Sequence, residues 1–250
     1  MKQLFIIAIT ALGLTAQAQV KETRNTGSFK NIEVINGVTL VYTQGEVSAV
    51  TAETETKDMM NSLVTRVVGN TLRIFMKESQ GKKAQPHGAV KVYITQSSIS
   101  RLKAASGASI KIEGSAYLDD LDVNLSSGAS FTGKVTSNEF VLNARSGSSF
   151  KGVVFTDAFT GNLRAGAGAK LTGTAKKATI STDSASTCIA STFVTDKAYV
   201  NAKGTSSVFI KVKDSIKATT DNSASITYYG EPNVNLGEGS YAIKRFQDKL

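Results

Sequence analysis

The sequence predicts an all-β fold, a single-stranded parallel β-helix (β-solenoid) with about 20 residues per coil, entered through an irregular N-terminal β-rich head. Three observations carry this expectation. A small-residue corner recurs, as ASGASIKI from Ala105, SSGASFTG from Ser126, RSGSSFKG from Arg145, GAGAKLTG from Gly166, DSASTCIA from Asp183, KGTSSVFI from Lys203 and NSASITYY from Asn222. The apolar anchors that follow, Ile110, Phe131, Phe150, Leu171, Cys188, Val208 and Ile226, fall at intervals of 21, 19, 21, 17, 20 and 18 residues. That period is too short for helical-pair repeats and lacks the leucine-rich consensus. Before the corners run segments of strict alternation, such as Leu121-Asp122-Val123-Asn124-Leu125, which turn one strand face inward and the other toward water.

Taken in order, the chain opens with MKQLFIIAITALGLTAQA over residues 1–18. Lys2, the apolar run Leu4 to Leu14 and the small-residue pattern Ala16-Gln17-Ala18 read as a secretory signal cut before Gln19. The apolar run is too short to span a bilayer, and no later segment reaches the ~20 apolar residues required. The expected location is therefore periplasmic, cell-surface or secreted. With no cysteine near the cleavage site, a lipid anchor is not expected by that route.

A head follows over residues 19–98. FKNIEVINGVTLVYTQG from Phe29 reads as two strands hinged at Asn36-Gly37, a tight-turn dipeptide. VTAET from Val50, a helical turn around Lys57 to Leu63, a turn at Gly69-Asn70 before TLRIF, and VKVYIT from Val90 complete it. KESQGKKAQPHG between the last two is a polar loop. The boundary near residue 98 is a change of pattern without a linker, so residues 19–250 are expected to form one β-helix domain.

The corner repeats occupy residues 99–230. Gly, Ala and Ser suit a corner that stacks on its copies at about 4.8 Å, where bulkier side chains would collide. Asn124, Asn143 and Asn201 each stand seven residues before an anchor, as does Ser181, so a polar column is expected. Asn162 joins it only if the extra Gly-Ala pair in AGAGAK is a corner insertion. Gly133, Gly152 and Gly173, in FTG, FKG and LTG, read as a second corner. Seven coils would extend roughly 35 Å. Residues 231–250 close the far end as a cap against edge pairing.

Five features follow one another along the chain: Phe29-x-x-Ile32-x-Val34, Ile35-Asn36-Gly37-Val38 with Gln44-Gly45, Gly69-Asn70-Thr71-Leu72-x-Ile74, the SGAS corners and Tyr229-Gly230-x-Pro232. In this order they resemble one family, the auto-transporter adhesin head, or GIN domain, proteins exported by Gram-negative bacteria. The resemblance runs from about Phe29 to Ile243. It implies a right-handed parallel β-helix on the outer side of the inner membrane, and it brings no catalytic residues to carry over. The chain has no recognisable translocator barrel.

Composition narrows the chemistry. Lys plus Arg number 29 against 20 Asp plus Glu, a net charge of +9 that falls to +8 once Lys2 leaves with the signal. Such a surface favours anionic partners, meaning acidic polysaccharide, lipopolysaccharide headgroups or, least of all, nucleic acid, for which no binding motif appears. One cysteine, Cys188, rules out an intramolecular disulfide and reads as a buried anchor. His87 is the sole histidine, so neither a zinc site of the usual kind nor a Ser-His triad is expected. GAGAK from Gly166 is followed by Leu171, where a phosphate loop needs Ser or Thr after the Lys. Asp119, Asp120 and Asp122 form the one dense acidic cluster, and Asp120 and Asp122 share a strand face, as a calcium site or carboxylate pair would need. The equivalent stretch one coil later is Asn138-Glu139-x-Val141, with a single acid and not a lined-up acidic groove, which favours a solvated face.

The expectation is a non-enzymatic exported binding or structural module, adhesin-like, meeting glycans, lipopolysaccharide or a surface protein through many weak contacts. No catalytic, cofactor-binding or metal-ligating residue is assigned. The alternatives are a β-helix carbohydrate-active enzyme, a polysaccharide lyase or hydrolase using Asp120 and Asp122, and a solenoid that self-assembles through its ends.

Overall fold

The computed structural model describes residues 19–77, 88–221 and 223–246, so the expected leader and His87 lie outside the described residues. Strand makes up 68% of the chain, which winds into a solenoid of about 8 turns with ~19 residues per turn. The head holds β1 (Val20–Thr23), β2 (Asn31–Ile35), β3 (Thr39–Gln44), β4 (Ala49–Thr54), α1 (Lys57–Ser62), β5 (Leu63–Val68), β6 (Thr71–Met76) and β7 (Val90–Gln96). The coils continue through β8 (Arg101–Ala105), β9 (Ser109–Glu113), β10 (Ala116–Tyr117), β11 (Asp120–Leu125), β12 (Ser130–Arg145) and β13 (Ser149–Arg164). Then come β14 (Gly168–Thr182), β15 (Thr187–Ala202), β16 (Ser207–Thr220), β17 (Ser225–Tyr229), β18 (Asn233–Leu236) and β19 (Ile243–Arg245).

All strands join one 19-stranded sheet wrapped around a core of buried side chains that runs from Phe29 to Ile243. From β8 onward every pairing is parallel and one coil apart. The head departs from sequence order. β2 and β3 are the first coil in the chain but the second in space, because β2 pairs with both β6 and β8, and β3 with both β7 and β9. β4 and β5 run antiparallel to β7 and β6, and β1 antiparallel to β4, so this end is closed by reversed strands. Thr56 caps α1 by accepting from the Met59 N–H at 3.3 Å, and the helix buries Met59 and Met60.

The corner is the same device in each coil. Two successive residues take positive φ: Asn36 and Gly37, Ser106 and Gly107, Ser127 and Gly128, Ser146 and Gly147, Ala165 and Gly166, Ser184 and Ala185, Gly204 and Thr205. A left-handed non-glycine residue costs roughly 1–2 kcal/mol, and the stack supplies a compensating bond at each corner. Gly107 N–H donates to Ser127 O at 2.9 Å, Gly128 to Ser146 at 3.0 Å, Gly147 to Ala165 at 3.0 Å and Gly166 to Ser184 at 2.9 Å. Asn36-Gly37 belongs to this series, its Gly37 N–H reaching Ser106 O at 3.0 Å. It is a coil corner and not a hairpin, since β2 and β3 pair with other coils and not with each other.

Two expectations need correction. The column of anchors is Ile110, Phe131, Phe150, Ala169, Cys188, Val208 and Ile226, with Ala169 in place of Leu171, which pairs with Gly152. Bulk has moved two residues along the strand, from Phe150-x-Gly152 in one coil to Ala169-x-Leu171 in the next, and the inward volume is kept. Gly133 and Gly152 are accordingly not corners. An added Cβ would lie 2.6 Å from the Phe150 ring at Gly152 and 2.6 Å from Ile112 at Gly133, so glycine there makes room for a neighbour's side chain. Gly173 pairs with Val154, and its backbone at φ +110 passes so close that a Cβ would meet the Val154 carbonyl oxygen at 2.1 Å.

The second corner instead follows Ser137, Thr156, Ala175 and Thr195, where burial slips by one residue while the ladder continues. Thr156 Oγ1 donates to Asn138 O at 2.8 Å and Thr195 Oγ1 to Lys197 O at 3.0 Å, which serves corner carbonyls without a glycine. The strands therefore bend without breaking, and β12 to β16 run to 14–16 residues each.

Candidate functional site

In a parallel stack, one residue type repeated at one coil position becomes a column with a step of about 4.8 Å. Asn124, Asn143, Asn162, Ser181 and Asn201 are register partners in successive coils, on outward positions. With Ala169 as the anchor, Asn162 falls in line without any insertion.

The amides are not independent. Asn162 Nδ2 donates to Asn143 Oδ1 at 3.0 Å, Asn143 Nδ2 to Asn124 Oδ1 at 3.2 Å, and Asn124 Nδ2 to Asp122 Oδ1 at 2.8 Å. An ionised carboxylate only accepts, so Asp122 at the foot forces Asn124 to present nitrogen, and each amide above must point the same way. Each amide nitrogen carries two hydrogens. Asn124 and Asn162 therefore keep a second N–H directed away from the ladder. Asp122 is held in turn by Arg101, whose Nε lies 3.0 Å from its carboxylate.

Two residues beyond the amides stand Arg145 and Arg164, register partners in adjacent coils and both exposed. With Asn124, Asn143, Asn162 and Lys103 they line a groove of about 460 Å³. The three cations are not equivalent. Lys103 Nζ is bound to Glu33 at 2.7 Å, and Arg73 holds the same carboxylate at 2.8 Å. Burial works to raise the Glu33 carboxyl, but Lys103 and Arg73 more than offset it and hold it below its ordinary value. Among the described residues neither Arg145 nor Arg164 has a carboxylate within 4.0 Å. Asp183 stands one coil beyond Arg164, but its Oδ1 lies 2.7 Å from where a Cβ on Gly204 would be, on the far side.

Two clefts of about 630 Å³ each hold paired cations. At the second corner, beside Tyr117 and Phe155, Lys176 and Lys213 are paired with Asp157 at 2.8 Å and Asp196 at 3.4 Å. In the head cleft Arg24 binds Glu22 at 3.3 Å and the Met60 carbonyl at 3.3 Å, while Lys30 beside it has no carboxylate within 4.0 Å among the described residues, a single cation and not a stacked pair.

The acidic cluster separates into structural tasks. Asp122 is the foot of the ladder, Asp120 accepts from the Glu139 N–H at 3.2 Å, and Asp119 is at the second corner. Among the described residues no three His, Cys, Asp or Glu side chains come together as metal ligands. Cys188 is fully buried in the anchor column, and burial pushes its thiol up to about 12. Arg145 and Arg164 escape a reading that aligns repeats by apolar anchors. Their signal is the pair Asn143-x-Arg145 and Asn162-x-Arg164, 19 residues apart, which shows only when the polar positions are aligned.

Among the described residues no helix is long and apolar enough to cross a membrane. The family described as "Putative auto-transporter adhesin, head GIN domain" matches residues 28–232. Solved structures share the fold. A protein from Parabacteroides distasonis ATCC 8503 described as a "Putative lipid binding protein" has a TM-score of 0.81 at 15% identity, covering 92% of this chain and 97% of its own. A "putative adhesin" from Parabacteroides merdae ATCC 43184 has a TM-score of 0.81 at 18% identity, covering 91% and 94%. A second "putative adhesin" from Parabacteroides distasonis ATCC 8503 has a TM-score of 0.82 at 15% identity, covering 92% and 95%. No curated protein matches the chain.

Proposed function

From the premise that the chain belongs to the auto-transporter adhesin head GIN domain family, we propose that it is an exported, non-enzymatic binding module that meets glycans, lipopolysaccharide or a protein at the cell surface. One observation carries the reading: a register-locked amide ladder beside two arginines without carboxylate partners among the described residues, along a groove that follows the coil axis. Repeated donors at a fixed step suit a ligand that is itself a repeating polymer, since weak contacts then add along its length. Of the two carboxylates that a lyase or hydrolase would use, Asp122 is committed to Arg101 and to the amides, and Asp120 accepts from the Glu139 N–H. A glycan array that includes neutral and acidic polysaccharides and lipopolysaccharide tests the proposal, with each binder incubated further and its chain length measured. Binding without shortening is expected. Shortened product would make the protein an enzyme, and a blank array would remove glycans and lipopolysaccharide as its ligands.

A further inference from the structure

We propose that Arg145 and Arg164 form a two-coil clamp for the oxyanion substituents of an acidic polysaccharide, whose sugar hydroxyls lie along the Asn124, Asn143 and Asn162 ladder. The inference rests on the binding-module reading and assigns its site and ligand class.

The two guanidinium groups leave the same face of neighbouring coils, on Cα partners about 4.8 Å apart. Stacked like charges repel, and toward the head end of this side carboxylates stand against the cations: Glu33 for Lys103 and Arg73, Asp122 for Arg101. At Arg145 and Arg164 no described residue supplies that relief, so an anion arriving from outside meets two forks with their donors free. Guanidinium matches carboxylate, sulfate and phosphate in a bidentate manner, and such charge-assisted bonds are the stronger class. The amides beside it add neutral donors in a fixed direction, at Asn124 and Asn162, and Asn162 Oδ1 has no donor within the ladder. A polymer carrying both hydroxyls and acidic groups satisfies both columns at once. Nucleic acid also offers oxyanions, but the groove lining has no aromatic side chain on which bases could stack.

The test compares Kd values for matched probes on the purified protein: dextran sulfate against dextran, polygalacturonate against its methyl ester, a phosphorylated mannan against mannan, and oligo(dT) as the nucleic-acid arm. The charged member of at least one saccharide pair is expected to bind, the neutral member at least about tenfold more weakly. Which charged member binds identifies carboxylate, sulfate or phosphate as the recognised group. The Arg145→Gln/Arg164→Gln variant, with its β spectrum and urea midpoint checked, is expected to lose at least about tenfold. Arg145→Lys/Arg164→Lys is expected to fall between it and the wild type, since charge remains while the fork is lost. Lys151 and Lys170 form another pair of register partners one coil apart, and Lys151→Gln/Lys170→Gln removes the same charge while leaving binding within about twofold. Equal losses in the Arg and Lys pairs, tighter binding of oligo(dT) than of every saccharide, or no polyanion binding would each overturn the clamp. Neutral glycan binding that survives Arg145→Gln/Arg164→Gln would overturn the clamp and leave the binding-module reading in place.

Discussion

A solenoid places demanding requirements on single residues, because whatever one coil does must fit against the coils above and below. Ser127, Ser146 and Ala165 accept left-handed backbone at φ 52 to 55 because the next coil receives a hydrogen bond from the glycine that follows. Two buried ionisable groups show the same coupling to the stack. Cys188 lies between Ala169 and Val208 in the anchor column, and burial raises its thiol from 9.0 to about 12. Tyr42 donates to Gln96 O at 2.8 Å from inside the core, and burial raises its phenol from 10.0 to about 12. Between the unfolded and folded values the native state holds more protons than the unfolded chain, so stability falls as pH rises. The fall begins near pH 9 for the thiol and pH 10 for the phenol and runs toward about 12 for both. Each group contributes at most about 1.4 kcal/mol per pH unit in that window. Urea midpoints between pH 8 and 11 should decline accordingly. Cys188→Val, which copies the next coil's residue, should flatten the decline that starts near pH 9, and an unchanged slope would show that the thiol is not its source.

At the level of the strand, packing is shared between inward positions two residues apart. Phe131 and Phe150 stack with ring centroids 4.8 Å apart and planes 7° from parallel, and Gly152 leaves space for the Phe150 ring. The next coil reaches the same volume with Ala169 and Leu171. Phe150→Ala alone should cost about 3–5 kcal/mol, and Gly152→Leu alone about 1–3 kcal/mol from overpacking. The double variant Phe150→Ala/Gly152→Leu copies the following coil and should be more stable than the sum by more than about 1 kcal/mol. Additivity in urea unfolding would mean the two positions do not trade volume. This exchange also explains what can be read from the sequence and what cannot. Corner residues and coil length are legible because steric demand at a stacked turn admits few residue types. Leu171 misleads because apolar character marks a side chain as inward without saying which inward position it fills. The arginine pair stays hidden because its meaning lies in the neighbour one coil away. The order of β2 and β6 in the head is hidden too, since stacking order there differs from chain order.

Across the whole molecule the two ends are built differently, and this bears on whether a solenoid stays a single particle. The head end finishes in β1 and β5, reversed relative to their neighbours, with α1 beside them. The far end finishes in strands that still run parallel: β18 on β16 and β19 on β17. There the tail covers Ile216 and Ile226, which are 1% and 0% exposed, while Val234 and Leu236 of β18 remain 43% and 39% exposed. Phe246 packs on Tyr229 with ring centroids 4.8 Å apart, pinning the last turn. Deleting residues 231–250 would uncover a complete apolar coil end together with the open edges of β16 and β17, a template for another chain. The shortened protein should keep its β spectrum, because coils contact only their neighbours, yet its mass by light scattering should rise with concentration more steeply than that of the full chain. An identical mass profile with the β spectrum retained would show that the tail does not act as a cap. Should the shortened chain associate, adding Ile216→Lys to it places a charge on the newly bared end and should return the mass toward that of the full chain, which ties association to that surface and not to general unfolding.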